Sequence, residues 1–301
     1  MAATARSKPL QAGIISPVRI VLLTAATLVC FASNSLLTRG ALGAGQIDWA
    51  LFTLIRLLTG TITLAILVRA RRVPARSGGS WLPALALAGY AVAFTFSYTL
   101  IGAAIGALLM FGAVQATMIG VGLIRGERPG RLDWIGVALA IGGLLVLTIP
   151  GVTAPQPLGA VLMIVAGICW GWYSLAGRAN RDPLAATAGN FLRATLFAAP
   201  VFVFTLQQRH ATLTGLLLAA ASGSVASGIG YTIWYTVLPA LAAWRAAIVQ
   251  LAVPILTAVV AAVLLGETIT TRLVAATVLI GGGICLTVWP GRVPEQITRS
   301  S

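Results

Sequence analysis

The chain has 301 residues, of which 58% are hydrophobic and only 9% charged, and its mean hydropathy is +0.97. A water-soluble domain carries roughly 25% charged residues, so this composition excludes a soluble globule and calls for a bilayer. The net charge of +14 would point to nucleic acid in a soluble chain. Here the charges sit in loops between apolar runs, where positive-inside topology accounts for them, and no nucleic-acid partner is expected.

In chain order, the apolar runs bounded by charge, Pro or Gly predict ten spans at 18–38, 48–69, 81–99, 102–124, 131–149, 157–177, 184–206, 212–233, 237–265 and 270–289, all but the longer ninth near the ~20 residues needed to cross hydrocarbon. The third and fourth spans part only around Ile101–Gly102, the eighth and ninth only near Leu238–Pro239. Residues 1–17 read as a cytoplasmic tail rather than a signal peptide, because the apolar run after Arg6 and Lys8 is a full span with no clear small-residue cleavage site. Residues 290–301 read as a second tail. With the N-terminus inside, fourteen Lys/Arg fall in inner loops and tails and three, Arg39, Arg209 and Arg272, in outer loops. Removing any one helix scrambles that bias, so ten spans with both ends cytoplasmic is the expected topology, in a bacterial inner membrane.

Paired segments recur along the chain. FTFSYTL at 94–100 aligns with YTIWYTV at 231–237 at an offset of 137, and the same offset pairs Arg56 with Arg193. NSLLTRG at 34–40 aligns with YSLAGRA at 173–179, pairing Ser35 with Ser174 and Arg39 with Arg178. GLIRGE ending at Glu127 aligns with VLLGE ending at Glu267. Matches in order at nearly constant offset predict two five-helix repeats, 18–149 and 157–289. An odd helix number inverts the second against the first, as in many secondary transporters.

Each repeat contains a run of small and apolar residues that ends in a Gly-Glu pair, Gly126–Glu127 and Gly266–Glu267, followed by a Gly-rich helix. With Pro254 in the ninth span, this pattern resembles the EamA-type domain of the drug/metabolite transporter superfamily, in two copies covering nearly the whole chain. The first copy lacks the family's Pro ahead of its Gly-Glu; Gly112 to Gln115 stand in that region, so the helix break expected of the second copy is not expected there. The resemblance implies a basket of helices, one to four and six to nine, around a central cavity, with the fifth and tenth more peripheral. It is similar in style to bacterial exporters of amino acids, including aromatic ones.

Polar residues inside spans are costly and mark candidate function. Asn34, Gln115 and Gln250 are candidates to bind a zwitterion through amide donors and acceptors, against the alternative of helix–helix hydrogen bonds. Tyr90, Phe94 and Tyr98 share one helix face at i, i+4, i+8; Trp170 and Tyr173 form a second aromatic pair, and Tyr231, Trp234 and Tyr235 a third group. Phe94, Tyr98, Trp170, Tyr173, Tyr231 and Trp234 are the substrate-binding candidates among them, by stacking, although Tyr98 and Tyr235 also fit an interfacial belt. Arg56 and Arg193 are candidates to bind a carboxylate. The preferred reading of both is structural: snorkelling, or capping of a neighbouring helix C-terminus. Glu127 and Glu267, at helix ends beside Gly, read as structural.

Cys30, Cys169 and Cys285 are far apart in apolar runs and His210 is the single histidine, so no disulfide, metal site or cofactor is expected. Gly112, Ala116 and Gly120, and Gly136 with Ala140, have the small-residue spacing of close helix packing, expected within a monomer. No Asp or Glu stands at a span midpoint, which disfavours proton-coupled antiport of cationic drugs and favours neutral or zwitterionic solutes. The resulting expectation is a secondary transporter, with a small-molecule substrate and the lipid bilayer as partners, that exports small metabolites, foremost amino acids, by alternating access. An uptake carrier or exchanger of a nucleotide sugar or phosphorylated sugar is the alternative. An intramembrane lipid-modifying enzyme is remote, since no HExxH, GxSxG or Asp-rich metal motif occurs.

Overall fold

The computed structural model describes residues 16–72, 78–149, 156–178, 180, 182–205, 210–265 and 270–288. Gly266 and Glu267, and among the counted loop and tail cations Arg6, Lys8, Arg76, Arg181, Arg209, Arg292 and Arg299, lie outside them. The described residues form an all-α protein of ten apolar helices. These are α1 Pro17–Thr38, continued by a wider π-turn to Gly43, α2 Trp49–Ala70, α3 Trp81–Tyr98, α4 Ala103–Ile124 and α5 Arg131–Thr148. They continue with α6 Pro157–Gly177, α7 Pro183–Phe204, α8 Leu213–Ala240, α9 made of Ala243–Gln250 and Ala252–Leu265, and α10 Thr271–Val288. Their outer faces expose Val18, Leu22, Ile62, Ile66, Leu192, Leu196, Val274 and Val278, which suits contact with hydrocarbon and marks a multi-pass membrane protein.

Local chemistry sets the helix ends. Ser16, Asp48, Asp182 and Thr212 each accept a backbone N–H in the first turn of α1, α2, α7 and α8, satisfying donors that a helix start otherwise leaves open. The expected break at Leu238–Pro239 lies elsewhere. Pro239 sits inside a closing 3₁₀ turn, Leu238–Ala240, where its fixed φ is accommodated. The chain extends only at Leu241 and Ala242, so the eighth span runs about seven residues beyond 233 and the ninth begins correspondingly late. Within α8, the Ser/Gly-rich segment Ser222–Ile229 is π-helical, a widened turn that frequently accompanies function. α9 is interrupted at Leu251, whose N–H bonds Ile248 O at i−3, just ahead of Pro254.

The principal packing pairs are α5–α10, α3–α6, α4–α6, α2–α7, α2–α8, α3–α7, α1–α8, α1–α9 and α4–α9. Exchanging each helix for the one five places along maps this set onto itself. Close approach depends on small residues. A Cβ on Gly136 would lie 2.8 Å from Gly283 O in the α5–α10 contact, and one on Gly283 3.0 Å from Ala140 Cβ. The Gly112, Ala116, Gly120 stripe does not pack inside the chain as expected. Gly112 and Ala116 are exposed, and a Cβ on Gly112 or Gly120 would meet nothing within 4 Å, because α4 turns Val114, Gln115, Met118 and Ile119 inward instead.

Candidate functional site

The helices surround a cavity of about 260 Å³. Its walls are Phe31, Asn34, Ser35 and Arg39 of α1 and its extension, Tyr90, Phe94 and Tyr98 of α3, and Ala103 to Phe111 of α4 at intervals. Leu147 and Thr148 of α5, Trp170 of α6, Tyr231 of α8 and Gln250 to Ala258 of α9 complete it. α2 and α7 contribute no wall residue, whereas α5 does so at its end. The implied ring of helices one to four and six to nine is corrected accordingly: α2 and α7 pack on one another and on α8 and α3, one layer further out.

The floor is aromatic. Phe31 stands edge-on to Trp170 at 5.2 Å and to Tyr231 at 5.7 Å between centroids. Trp170 lies 4.7 Å from Tyr231 and 5.1 Å from Tyr90. These are the spacings at which ring pairs attract beyond area burial. Trp170 Nε1 donates to Gln250 Oε1 at 2.6 Å, and Gln250 Nε2 donates to Ala246 O at 3.1 Å, so the amide locks the indole's tilt. Asn34 Oδ1 accepts from Ser222 Oγ at 2.7 Å, tying the wall to the π segment of α8.

Below the floor the path is plugged. Tyr173, Trp234 and Tyr235 are fully buried. Tyr235 donates its hydroxyl to Tyr173 O at 3.0 Å, and Trp234 Nε1 donates to Ser174 Oγ at 3.3 Å. Gly177 lies so close to the Tyr235 ring that a Cβ there has no room.

Beyond the plug is a polar latch that explains the first Gly-Glu pair. Gly126, at φ +85°, adopts the left-handed conformation that glycine tolerates. Its N–H bonds Leu123 O at 3.0 Å while Glu127 N–H bonds Gly122 O at 2.9 Å, the paired bonds of a Schellman ending to α4. That turn throws the Glu127 carboxylate onto the start of α9, whose own N-cap, Ala242, has no side-chain acceptor. Glu127 accepts from Ala243 N–H at 2.9 Å to each oxygen and from Trp244 N–H at 3.4 Å, capping another helix's positive end. Arg178 Nη1 pairs with Glu127 Oε1 at 3.2 Å, and Arg178 Nη2 donates to Leu241 O at 2.6 Å. One carboxylate thereby joins the ends of α4 and α6 to the start of α9.

Of the residues singled out from sequence, Asn34, Phe94, Tyr98, Trp170, Tyr231 and Gln250 line the cavity. Tyr173 and Trp234 lie behind its floor, in the plug. Gln115 is not on the wall. Its Nε2 donates to Ala247 O at 2.7 Å, a carbonyl left over because Leu251 N–H reaches Ile248 instead. Arg193 is not on the wall either: Nη1 donates to Gly78 O and Gly189 O, both at 2.9 Å, and its guanidinium stacks 5.4 Å from the Trp81 centroid. It braces the turn into α3, the structural reading of the pair. Arg56 sits behind Tyr90 and Tyr231, 1% exposed, held by neutral hydroxyls: Nε donates to Ser227 Oγ at 3.0 Å and Nη2 to Tyr231 Oη at 2.7 Å and Tyr90 Oη at 3.4 Å.

Sequence reasoning missed Phe31, Ser35, Arg39 and Phe111 as wall residues and placed Tyr90 on the aromatic face without assigning it to the site. Phe31, Asn34 and Ser35 are spaced i, i+3, i+4, one helix face, so Asn34 was a signal for its neighbours. Arg39 was visible as the repeat partner of Arg178.

A model of the EamA-like transporter family matches residues 157–289, the second five helices. An uncharacterized protein of Pseudomonas aeruginosa is 48% identical over 281 residues, covering 92% of this chain and 98% of that one. A protein described as a probable amino-acid metabolite efflux pump of Salmonella typhimurium is 29% identical over 208 residues, 64% of this chain and 69% of that one. A solved crystal structure of 19% sequence identity superposes with a TM-score of 0.77 over 90% of this chain and 98% of its own, which establishes a shared fold. The chain belongs to the EamA-like transporter family.

Proposed function

We propose that this transporter exports small metabolites, amino acids including aromatic ones, across the bacterial inner membrane by alternating access. The observation that carries the reading is the cavity: Phe31, Tyr90, Phe94, Trp170 and Tyr231 line a space of about 260 Å³ that opens towards Arg39 and Tyr98 and ends on the Tyr173–Trp234–Tyr235 plug. A side chain of aromatic size fits against such rings in a space of that volume, with Asn34 and Gln250 offering amide groups to a polar head. The efflux pump named among the relatives supports amino acids as the solute class.

The exchange-symmetric packing supports two inverted repeats, 18–149 and 157–289, as the units that rock against each other. With both termini in the cytoplasm, as the arginine bias indicates, the Glu127 latch closes the cytoplasmic end and the cavity faces outward, the releasing state of an exporter. Parting Glu127 from α9 lets the inner ends of α4, α6 and α9 separate. The chain works as a monomer in this reading, since one copy encloses the cavity.

Proteoliposomes loaded with aromatic amino acids, aliphatic amino acids, nucleotide sugars or cationic dyes, with and without a pH gradient, test it. Aromatic amino acids leave fastest, and Trp170→Ala, at the floor, cuts their flux about tenfold with the protein still monodisperse. Equal flux of the dyes, or undiminished flux in Trp170→Ala, overturns the assignment.

A further inference from the structure

Arg56 is buried in α2 with its Nη1 lacking any hydrogen-bond partner. Its other nitrogens meet only neutral oxygens, those of Ser227, Tyr90 and Tyr231. The single ion pair among the described residues, Arg178 with Glu127, is elsewhere. Removing a guanidinium from water without a counter-charge is strongly unfavourable, and the three hydroxyls that tie Arg56 to α3 and α8 carry no charge to offset it. Gly223 of the π segment touches the backbone of Arg56 so closely that no side chain fits, which sets α8 against α2 where Ser227 reaches Nε. Arg193, its repeat partner, has by contrast two carbonyls and a Trp face and is satisfied.

We infer that the missing counter-charge is the solute's own carboxylate, and that Arg56 is the residue that selects for it. This rests on the reading of the cavity as an amino-acid site. Two wall residues, Tyr90 and Tyr231, stand between the guanidinium and the cavity, and the Arg56 carbon lies 5.3 Å from the Tyr90 centroid. Each phenol oxygen accepts from Arg56 and keeps its own O–H to donate. A carboxylate resting on those two hydroxyls receives hydrogen bonds polarised by the cation behind them, in surroundings that screen the charge weakly. Arg56 is therefore a positioning residue: it acts through Tyr90 and Tyr231, and its effect is on which head group binds. The ring of the solute then points towards Phe94 and Tyr98, and its ammonium towards Asn34 and Gln250.

The test compares phenylalanine with phenylalaninamide, which differ only at the carboxyl group, as competitors of labelled phenylalanine in proteoliposomes of the full chain. The wild type prefers the acid by about tenfold or more. Arg56→Gln brings the two within about threefold by raising the acid's KM far more than it lowers the maximal rate, Arg56→Lys restores part of the preference, and Tyr231→Phe and Tyr90→Phe each lose part of it. The phenol variants carry the test if Arg56→Gln does not fold. Equal handling of acid and amide by the wild type overturns the inference and leaves the transporter reading standing, as does a full preference surviving in Arg56→Gln or in both phenol variants. Transport of neither compound sinks the amino-acid reading, and the inference falls with it.

Discussion

The starts of α4 and α9 are alike in sequence position and opposite in state. Both follow a short break in the helical chain that ends on extended backbone, and neither Gly102 nor Ala242 provides a side-chain cap. At α9 the open N–H groups of Ala243 and Trp244 are taken by Glu127, with Arg178 beside it. At α4, Ala103 lies on the cavity wall together with Arg39, the repeat partner of Arg178. One end is fastened by a carboxylate borrowed from another helix and the other faces open space. The two helix starts are thus held differently, one by a few polar contacts and the other by none from a side-chain cap.

The comparison breaks hardest at Glu127. Its carboxylate makes charge-assisted bonds worth roughly 1.5–3 kcal/mol each, so Glu127→Ala removes several kcal/mol from the fastened state alone. Flux falls at least tenfold in proteoliposomes, and spin labels on the ends of α4 and α9 that Glu127 joins show a longer distance. An unchanged distance distribution would show that the plug, not the latch, holds that end. Less drastic is Gly126→Ala, which leaves the carboxylate in place and strains its turn by about 1 kcal/mol; transport drops a few fold, and the same labels report a partial shift.

The two ends can also be sharpened without breaking either. Ser35 lines the cavity, and its repeat partner Ser174 is fully buried under the floor, bonded to Trp234. In a background lacking native cysteines, Ser35→Cys reacts with a membrane-impermeant maleimide applied from the side opposite the N-terminus, and Ser174→Cys stays protected from both sides. A saturating aromatic solute slows the reaction at Ser35→Cys several fold. Comparable rates at both positions would mean that the two ends exchange faster than labelling.

Much of this asymmetry was beyond the reach of the sequence, for reasons that differ by residue. The spans were legible because about 20 apolar residues between charges leave little choice, and α3, α5 and α6 begin where glycine, charge and proline respectively suggested. The Tyr90–Phe94–Tyr98 face was legible because helical spacing alone puts those residues together. The π segment was not, since SGSVASGI differs from ordinary helix only in being rich in residues that hold a helix weakly, and that widened turn is what delivers Ser227 to Arg56 and Ser222 to Asn34. The paired arginines looked equivalent at an offset of 137. They diverge because α2 meets the π segment whereas α7 meets the turn before α3.

The smallest effect belongs to the residue that sequence ranked level with Gln250. Both glutamines fall within apolar spans, and nothing in composition says which faces the cavity. The distinction comes from the interruption at Leu251, which sends its N–H to Ile248 and leaves Ala247 O to be claimed by Gln115 from α4. Gln115 is 3% exposed and its Oε1 has no partner, so Gln115→Leu gives up one interhelical bond, about 0.6 kcal/mol in a membrane, and trades the unsatisfied Oε1 for an unsatisfied Ala247 O. Melting in detergent then shifts by no more than a few degrees in either direction, and KM for an aromatic amino acid stays within about twofold of wild type. Gln250→Leu, which frees the Trp170 indole to tilt, raises KM about fivefold or more. Like behaviour of the two variants would mean that both amides serve the wall or that both only brace helices.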